Sequence, residues 1–196
     1  WECNWKFAVD EFAENYHLPG LHPQLLEALN HITTPLDVYN GGLHSRQLIR
    51  SAPDPNWTDE MAQRFGYKDR NELTSSQVGN LEAMGVDTST FEGTAYDVRP
   101  ELIKATRAWG EQIGLDNSNW VDDALVDDFH YMIFPNLTFN LTHTGSMFFR
   151  PRPHPTNPDI CYWDYQQYVR SPEGAEPPPR PETVYAKASE WEFFEA

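Results

Sequence analysis

At 196 residues the chain has room for one ordinary domain with a sizeable core, and not for two large ones. Aromatic residues make up 14% of it, which excludes a disordered chain, while 30 Asp and Glu against 14 Lys and Arg give a net charge of -16. That charge excludes nucleic acid and anionic membrane surfaces as partners, and with no run near the roughly 18 apolar residues of a membrane span and no basic-then-apolar leader, the sequence reads as cytoplasmic.

In chain order, Trp5, Ala8, Val9, Phe12, Ala13 and Tyr16 recur at helical spacing, and the later part of this stretch is expected to be helix. Pro19-Gly20 interrupts it, and Pro23 opens a short helix carrying Leu25, Leu26 and Leu29. Leu36 to Tyr39, then Asn40-Gly41-Gly42, then Leu43 to Ile49 predict a hairpin, because Asn-Gly accepts the positive φ of a tight turn. Residues 51 to 97 read as loops with brief helical turns.

Pro100 to Ile113 predicts a helix, with Leu102, Ala105, Trp109 and Ile113 on one face. Asp122, Asp123, Asp127 and Asp128 read as a solvated face or a helix start. From Leu137 to Thr142 apolar and polar residues alternate strictly, which predicts a strand with its Leu and Phe side buried and its Thr and Asn side wet. Met147 to Arg150 and Ile160 to Arg170 extend this into an antiparallel meander. Ser171 to Pro181 holds five prolines and is a surface loop, and Pro181-Glu182 opens an apolar repeat through Val184, Tyr185, Ala188, Trp191 and Phe194 that predicts a C-terminal helix. The whole is α+β: a curved antiparallel sheet carrying helices.

Cys3 and Cys161 are too few for a disulfide framework or a four-thiolate metal site and are expected to be reduced, buried thiols. The chain begins at Trp1, has its first Met at position 61 and ends inside a helical pattern. It is expected to be a piece of a longer protein.

His17 and His22, with Glu14 three residues before the first, are the site candidates. On a straight helix positions five apart point about 140° away from each other, so one metal ion could be shared only if Pro19-Gly20 bends the backbone. By itself H-x4-H is a weak signal, and two ordinary polar histidines explain it as well. The context is more specific. Asn4-Trp5-Lys6, then Asp10-Glu11-Phe12, then Glu14-Asn15-Tyr16-His17 and His22-Pro23 resemble the opening of the catalytic domain of Rieske-type non-haem iron ring-hydroxylating oxygenase alpha subunits. Phe134-Pro135-Asn136, Arg150-Pro151 and Pro158-Asp159 are similar to that family's FPN strand and the turn beyond it.

The resemblance implies a helix-grip, START-like fold in which the curved sheet packs against a long C-terminal helix. It implies a mononuclear Fe(II) held by two histidines and a carboxylate, with positions left open for O2. His17 and His22 match the histidine ligands. Glu14 matches the acidic residue that carries electrons from the Rieske domain of a neighbouring subunit, although the best-known members have Asp there. No acidic cluster that could hold the third ligand occurs from Thr183 to Ala196, so that carboxylate is expected beyond Ala196, and with two protein ligands iron would bind weakly. Residues 1–196 are then a catalytic domain lacking its N-terminal Rieske domain, with its [2Fe-2S] cluster, and its C-terminal end. Phe12, Leu18, Leu21 and Leu25 are expected to line an apolar substrate pocket, with Glu11 where several dioxygenases carry an Asn. Such an enzyme, a dioxygenase or monooxygenase of aromatic catabolism, hydroxylates an aromatic or similarly apolar substrate. Its expected partners are O2, a ferredoxin or reductase, and further copies of itself, a trimer in the full-length protein. The alternatives are a non-catalytic helix-grip module that binds a hydrophobic ligand and, less well supported, a zinc hydrolase.

Overall fold

The computed structural model describes residues 1–52, 58–64, 68–187 and 190. Its centre is a seven-stranded antiparallel sheet in the order β1-β3-β4-β5-β6-β7, with β2 also paired to β3. The strands are β1 (Leu29–Asn30), β2 (Leu36–Tyr39), β3 (His44–Ser51), β4 (Asp128–Ile133), β5 (Leu137–Thr142), β6 (Gly145–Pro153) and β7 (Cys161–Val169). The helices are α1 (Trp5–Phe12), α2 (Leu18–Leu21), α3 (Asp59–Arg64), α4 (Ser75–Ala83), α5 (Arg99–Gln112) and α6 (Asp122–Val126). The architecture is α+β with a curved open sheet, as the sequence predicts, and is consistent with a helix grip. No helix among the described residues is long and apolar enough to cross a membrane.

The predicted hairpin is formed by β2 and β3, paired from Leu36↔Gln47 to Tyr39↔His44. Asn40, Gly41 and Gly42 take φ of 50, 67 and 97°, a run of positive values that only Asn and Gly adopt cheaply. Strands β4 to β7 form the meander. β4 itself, running into the cis Phe134-Pro135 bond, is not marked by any alternation in the sequence.

Helix α1 packs on one face of this meander. Phe12 lies against Phe149 at 4.9 Å and Trp163 at 5.2 Å, with His130 at 6.4 Å. Directly paired residues of an antiparallel sheet share a face, so the covered face also carries Gln47, Asp128, Thr138 and Asn140. This reverses the expectation for β5. Its polar side is the covered one, with Thr138 wholly buried, while Leu141 on the apolar side is 38% exposed. On that outer side the half-open rings of Tyr131, Phe139 and Phe148 stack at 4.8 and 4.7 Å and shelter one another.

Three further expectations change. The first helix occupies Trp5–Phe12, the earlier part of its stretch, because Asn4 caps it by accepting from the Lys6 N–H at 3.0 Å and Ala13 ends it. The segment after Pro23 is a 3-10 turn over Pro23–Glu27, and Leu29 belongs to a strand. The Asp run does start a helix, with Asp122 and Asp123 in the first turn of α6, but it is not a solvated face throughout. Asp127 is 2% exposed, and it accepts from both Nη atoms of Arg99 at 2.6 and 2.8 Å and from the Ser51 N–H at 3.0 Å, tying α5 and α6 to β3.

A second core, of Leu81, Val98, Leu102 and Ala105, joins α4 to α5, and a capping box between Thr74 and Gln77 starts α4. At the C-terminal side, residues 181–187 form no helix, with Val184 69% and Tyr185 92% exposed. The rest of the predicted C-terminal helix, apart from Glu190, lies outside the described residues.

Candidate functional site

The chain leaves α1 at Ala13 and makes a tight turn before α2; this turn carries Glu14 and His17, and His22 follows on the far side of α2. Glu14 uses both carboxylate oxygens. Oε1 meets His17 Nδ1 at 2.7 Å, and Oε2 accepts from the backbone N–H of Tyr16 and from that of His17, the latter at 3.2 Å. The two side chains are only 20% and 18% exposed. An ionised carboxylate only accepts, so in the neutral imidazole of His17 it is Nδ1 that carries the ring proton and Nε2 that keeps its lone pair.

Two bonds fasten the turn to the sheet. Asn15 Nδ2 donates to Gln47 Oε1 at 2.6 Å, and Gln47 Nε2 donates to the Ala13 carbonyl at 2.6 Å. Gln47 is 6% exposed and cross-strand from His130, so the bracket sits on the covered polar face. Nothing in the local sequence marks Gln47. Its role comes from a contact between residues 32 apart.

His17 and His22 flank α2, a single helical turn, as its N-cap and C-cap. His17 O accepts from the N–H of Gly20 at 3.0 Å and of Leu21 at 2.9 Å, and the His22 N–H closes the turn on Leu18 O at 2.9 Å. The bend is not where the sequence suggests. Pro19 and Gly20 lie inside the turn, where Pro needs no N–H partner, and the helix breaks at His22, with φ -129° and ψ 51°. That break swings the second imidazole back, so the two rings meet edge to face with centroids 5.5 Å apart. The convergence that a straight helix forbids is therefore achieved.

The apolar candidates divide. Leu18 is 6% exposed and forms a core cluster with Leu26 and Ala62, against which Leu25 packs half-buried. Leu21 is 62% exposed. Phe12 packs on the sheet and Glu11 is half-buried at the end of α1.

Beneath Phe12 lies a polar chain the sequence does not announce. The Asn140 amide N donates to Asp128 Oδ2, and Asn140 Oδ1 meets His130 Nδ1 at 3.1 Å. His130 Nε2 and Thr138 Oγ1 are buried and have no hydrogen-bond partner among the described residues. Burial pushes the Asp128 carboxyl above its ordinary value, against the opposing hydrogen bond from Asn140. A shallow depression of about 450 Å³ opens on the other sheet face beside Phe148, Arg150, Asp164 and Tyr168, and no predicted site residue borders it.

Two converging imidazoles, one of them with its second nitrogen fixed by a carboxylate, suit a divalent transition metal. Among the described residues no group of three or more His, Cys, Asp or Glu could hold a metal. Glu14 is committed to its three donors. A family model described as the ring hydroxylating alpha subunit (catalytic domain) matches residues 1–195. Searches of curated proteins and of solved structures gave no match.

Proposed function

Since this chain belongs to the family of ring-hydroxylating alpha subunit catalytic domains, we propose that it is the oxygenase domain of an enzyme that hydroxylates an aromatic or similarly apolar substrate with O2. The observation that carries the reading is the edge-to-face meeting of His17 and His22 at 5.5 Å, with Glu14 on His17 Nδ1 at 2.7 Å.

His17 and His22 would hold a mononuclear Fe(II) through their imidazole nitrogens. When bound, that iron supplies reductive activation of O2 next to the substrate. Glu14 orients the His17 ring and fixes its proton on Nδ1, which keeps Nε2 available as a ligand. In the same reading Glu14 passes electrons from the Rieske [2Fe-2S] domain of a neighbouring subunit, itself fed by a ferredoxin or reductase. The contact of Glu14 with His17 Nδ1 supports this role, which needs a second copy of the chain.

Gln47 keeps the turn seated on the sheet, and Leu18 and Leu25 anchor it from the other side, so the imidazoles do not have to be organised when metal arrives. Leu21, exposed between the histidines, and Phe12 and Glu11 on α1 supply the side chains that would meet substrate. The convergence of the two rings favours an iron enzyme over a ligand-binding module, which has no use for paired imidazoles.

Anaerobic Fe(II) titration tests the proposal. One equivalent binds per chain, weakly where only the two histidines hold it, and binding is lost on changing His17→Ala or His22→Ala. Binding that survives both substitutions, or no binding at all, contradicts it.

A further inference from the structure

Away from the histidine turn, the two cysteines come together. Cys3 Sγ and Cys161 Sγ lie 3.8 Å apart although 158 positions separate them in the sequence. Cys161, the first residue of β7, is 1% exposed, whereas Cys3 is partly open to solvent. The segments that carry them are already joined on both sides. The Cys161 N–H donates to the Trp1 carbonyl at 2.9 Å, Asn4 Nδ2 donates to the Pro158 carbonyl at 2.9 Å, and the rings of Trp1 and Trp163 pack at 5.2 Å.

We propose that Cys3 and Cys161 form an oxidisable dithiol, which hydrogen peroxide converts into a disulfide stapling the N-terminal segment to β7. A disulfide needs its sulfurs about 2.05 Å apart, so each has to move by less than about 1 Å, a side-chain adjustment. The open thiol reacts first. The Cys3 sulfur attacks one peroxide oxygen, the O–O bond breaks, and a sulfenic acid forms as hydroxide leaves and becomes water by taking a proton. The Cys161 sulfur then attacks Cys3 Sγ. The S–S bond forms, the S–O bond breaks, and the departing hydroxide takes the Cys161 proton to give a second water. In sum two thiols lose two electrons and peroxide is reduced to two waters.

Burial and the neighbouring Cys3 push the Cys161 thiol up to about 11, so it stays protonated in neutral solution and suits the second step, where contact makes up for low nucleophilicity. Asn4, next to Cys3, is also the N-cap of α1. The staple would therefore fix the start of the helix whose far end leads into Glu14 and His17. The inference stands on the thiol geometry alone and does not depend on the iron reading.

The test is peptide mass spectrometry on the 196-residue chain after hydrogen peroxide, with denaturation and alkylation before digestion. The expected result is one cross-linked peptide pair containing Cys3 and Cys161, loss of both alkylatable thiols, no dimer on a non-reducing gel, and reversal by dithiothreitol. Closing so long a loop should raise the thermal midpoint by on the order of 10 °C. Cys3→Ser and Cys161→Ser each abolish the cross-link. Should Cys161→Ser fail to fold by circular dichroism, Cys3→Ser and Cys3→Ala, at the more open position, decide the matter. Thiols that both remain alkylatable, a Cys3 sulfinic acid beside a free Cys161, or disulfide-linked dimers would overturn the proposal.

Discussion

Replacing Glu14 by Gln strikes the site at the point where one side chain does two things. Glu14 Oε1 binds His17 Nδ1 at 2.7 Å, while Oε2 takes two backbone N–H groups. A carboxylate offers acceptors on both sides, but a Gln amide offers one acceptor and one donor. The carbonyl should stay on the two backbone amides, since it keeps two bonds there against one at the ring. The NH2 group then faces Nδ1, and the imidazole moves its proton to Nε2 to accept it. Losing a largely buried, charge-assisted bond costs about 1.5–3 kcal/mol, and a thermal midpoint lower by a few degrees follows. The larger effect falls on metal affinity, because the ligand lone pair on Nε2 now carries a proton. Loss of such a supporting partner typically weakens binding 10- to 100-fold. Long-range ¹H–¹⁵N correlation of the imidazoles reads the tautomer, and Co(II) titration reads the affinity. An Nδ1–H tautomer and a Co(II) affinity that both match the parent chain would refute the assignment of Glu14 as the group that orients His17.

Asp127→Ala removes the buried partner of Arg99 and leaves a quarter-exposed guanidinium with one remaining carboxylate, Asp123 at 2.6 Å. A broken buried pair costs about 3–5 kcal/mol, so the thermal midpoint should fall by on the order of 10 °C, whereas Arg50→Ala, whose longer contact to Asp127 is 3.6 Å and partly solvated, should cost under about 1 kcal/mol. Equal losses in the two variants would sink the claim that Asp127 is the hub of this junction. Asp128→Asn tests the buried carboxyl on β4. Its pKa is raised in the folded chain, so the folded state holds the proton more tightly than the unfolded one, and stability falls as pH rises from the unfolded value near 4 through the raised one. The difference in urea midpoint between the Asn variant and the parent should therefore grow in the variant's favour across that window. A pH-independent difference would show that Asp128 ionises as it would in water.

Much of the fold could be read from local pattern. The hairpin was legible because Asn40-Gly41-Gly42 demands positive φ, and the meander because β5 alternates and β7 is a long aromatic run. The side of β5 that is buried was not, since period two fixes only that the faces differ. Which face is covered depends on α1 laying Phe12 across the sheet, a contact between residues more than a hundred positions apart. For the same reason Thr138 and His130 gave no signal. The site was legible where its members are close in sequence: Glu14, His17 and His22 stand within nine residues. The cause of their convergence was misplaced by two residues, because Pro19 announces a break that the chain uses as a helix start. Gln47 and the Cys3–Cys161 contact were invisible, being tertiary throughout.

X-ray absorption at the iron edge of the Fe(II)-loaded chain tests the central claim most directly, since imidazole ligands leave a countable multiple-scattering signature. The expected result is two imidazoles per iron in the parent, and no bound iron to observe in His17→Ala or His22→Ala. An iron environment without imidazole, or one that neither substitution alters, would contradict it.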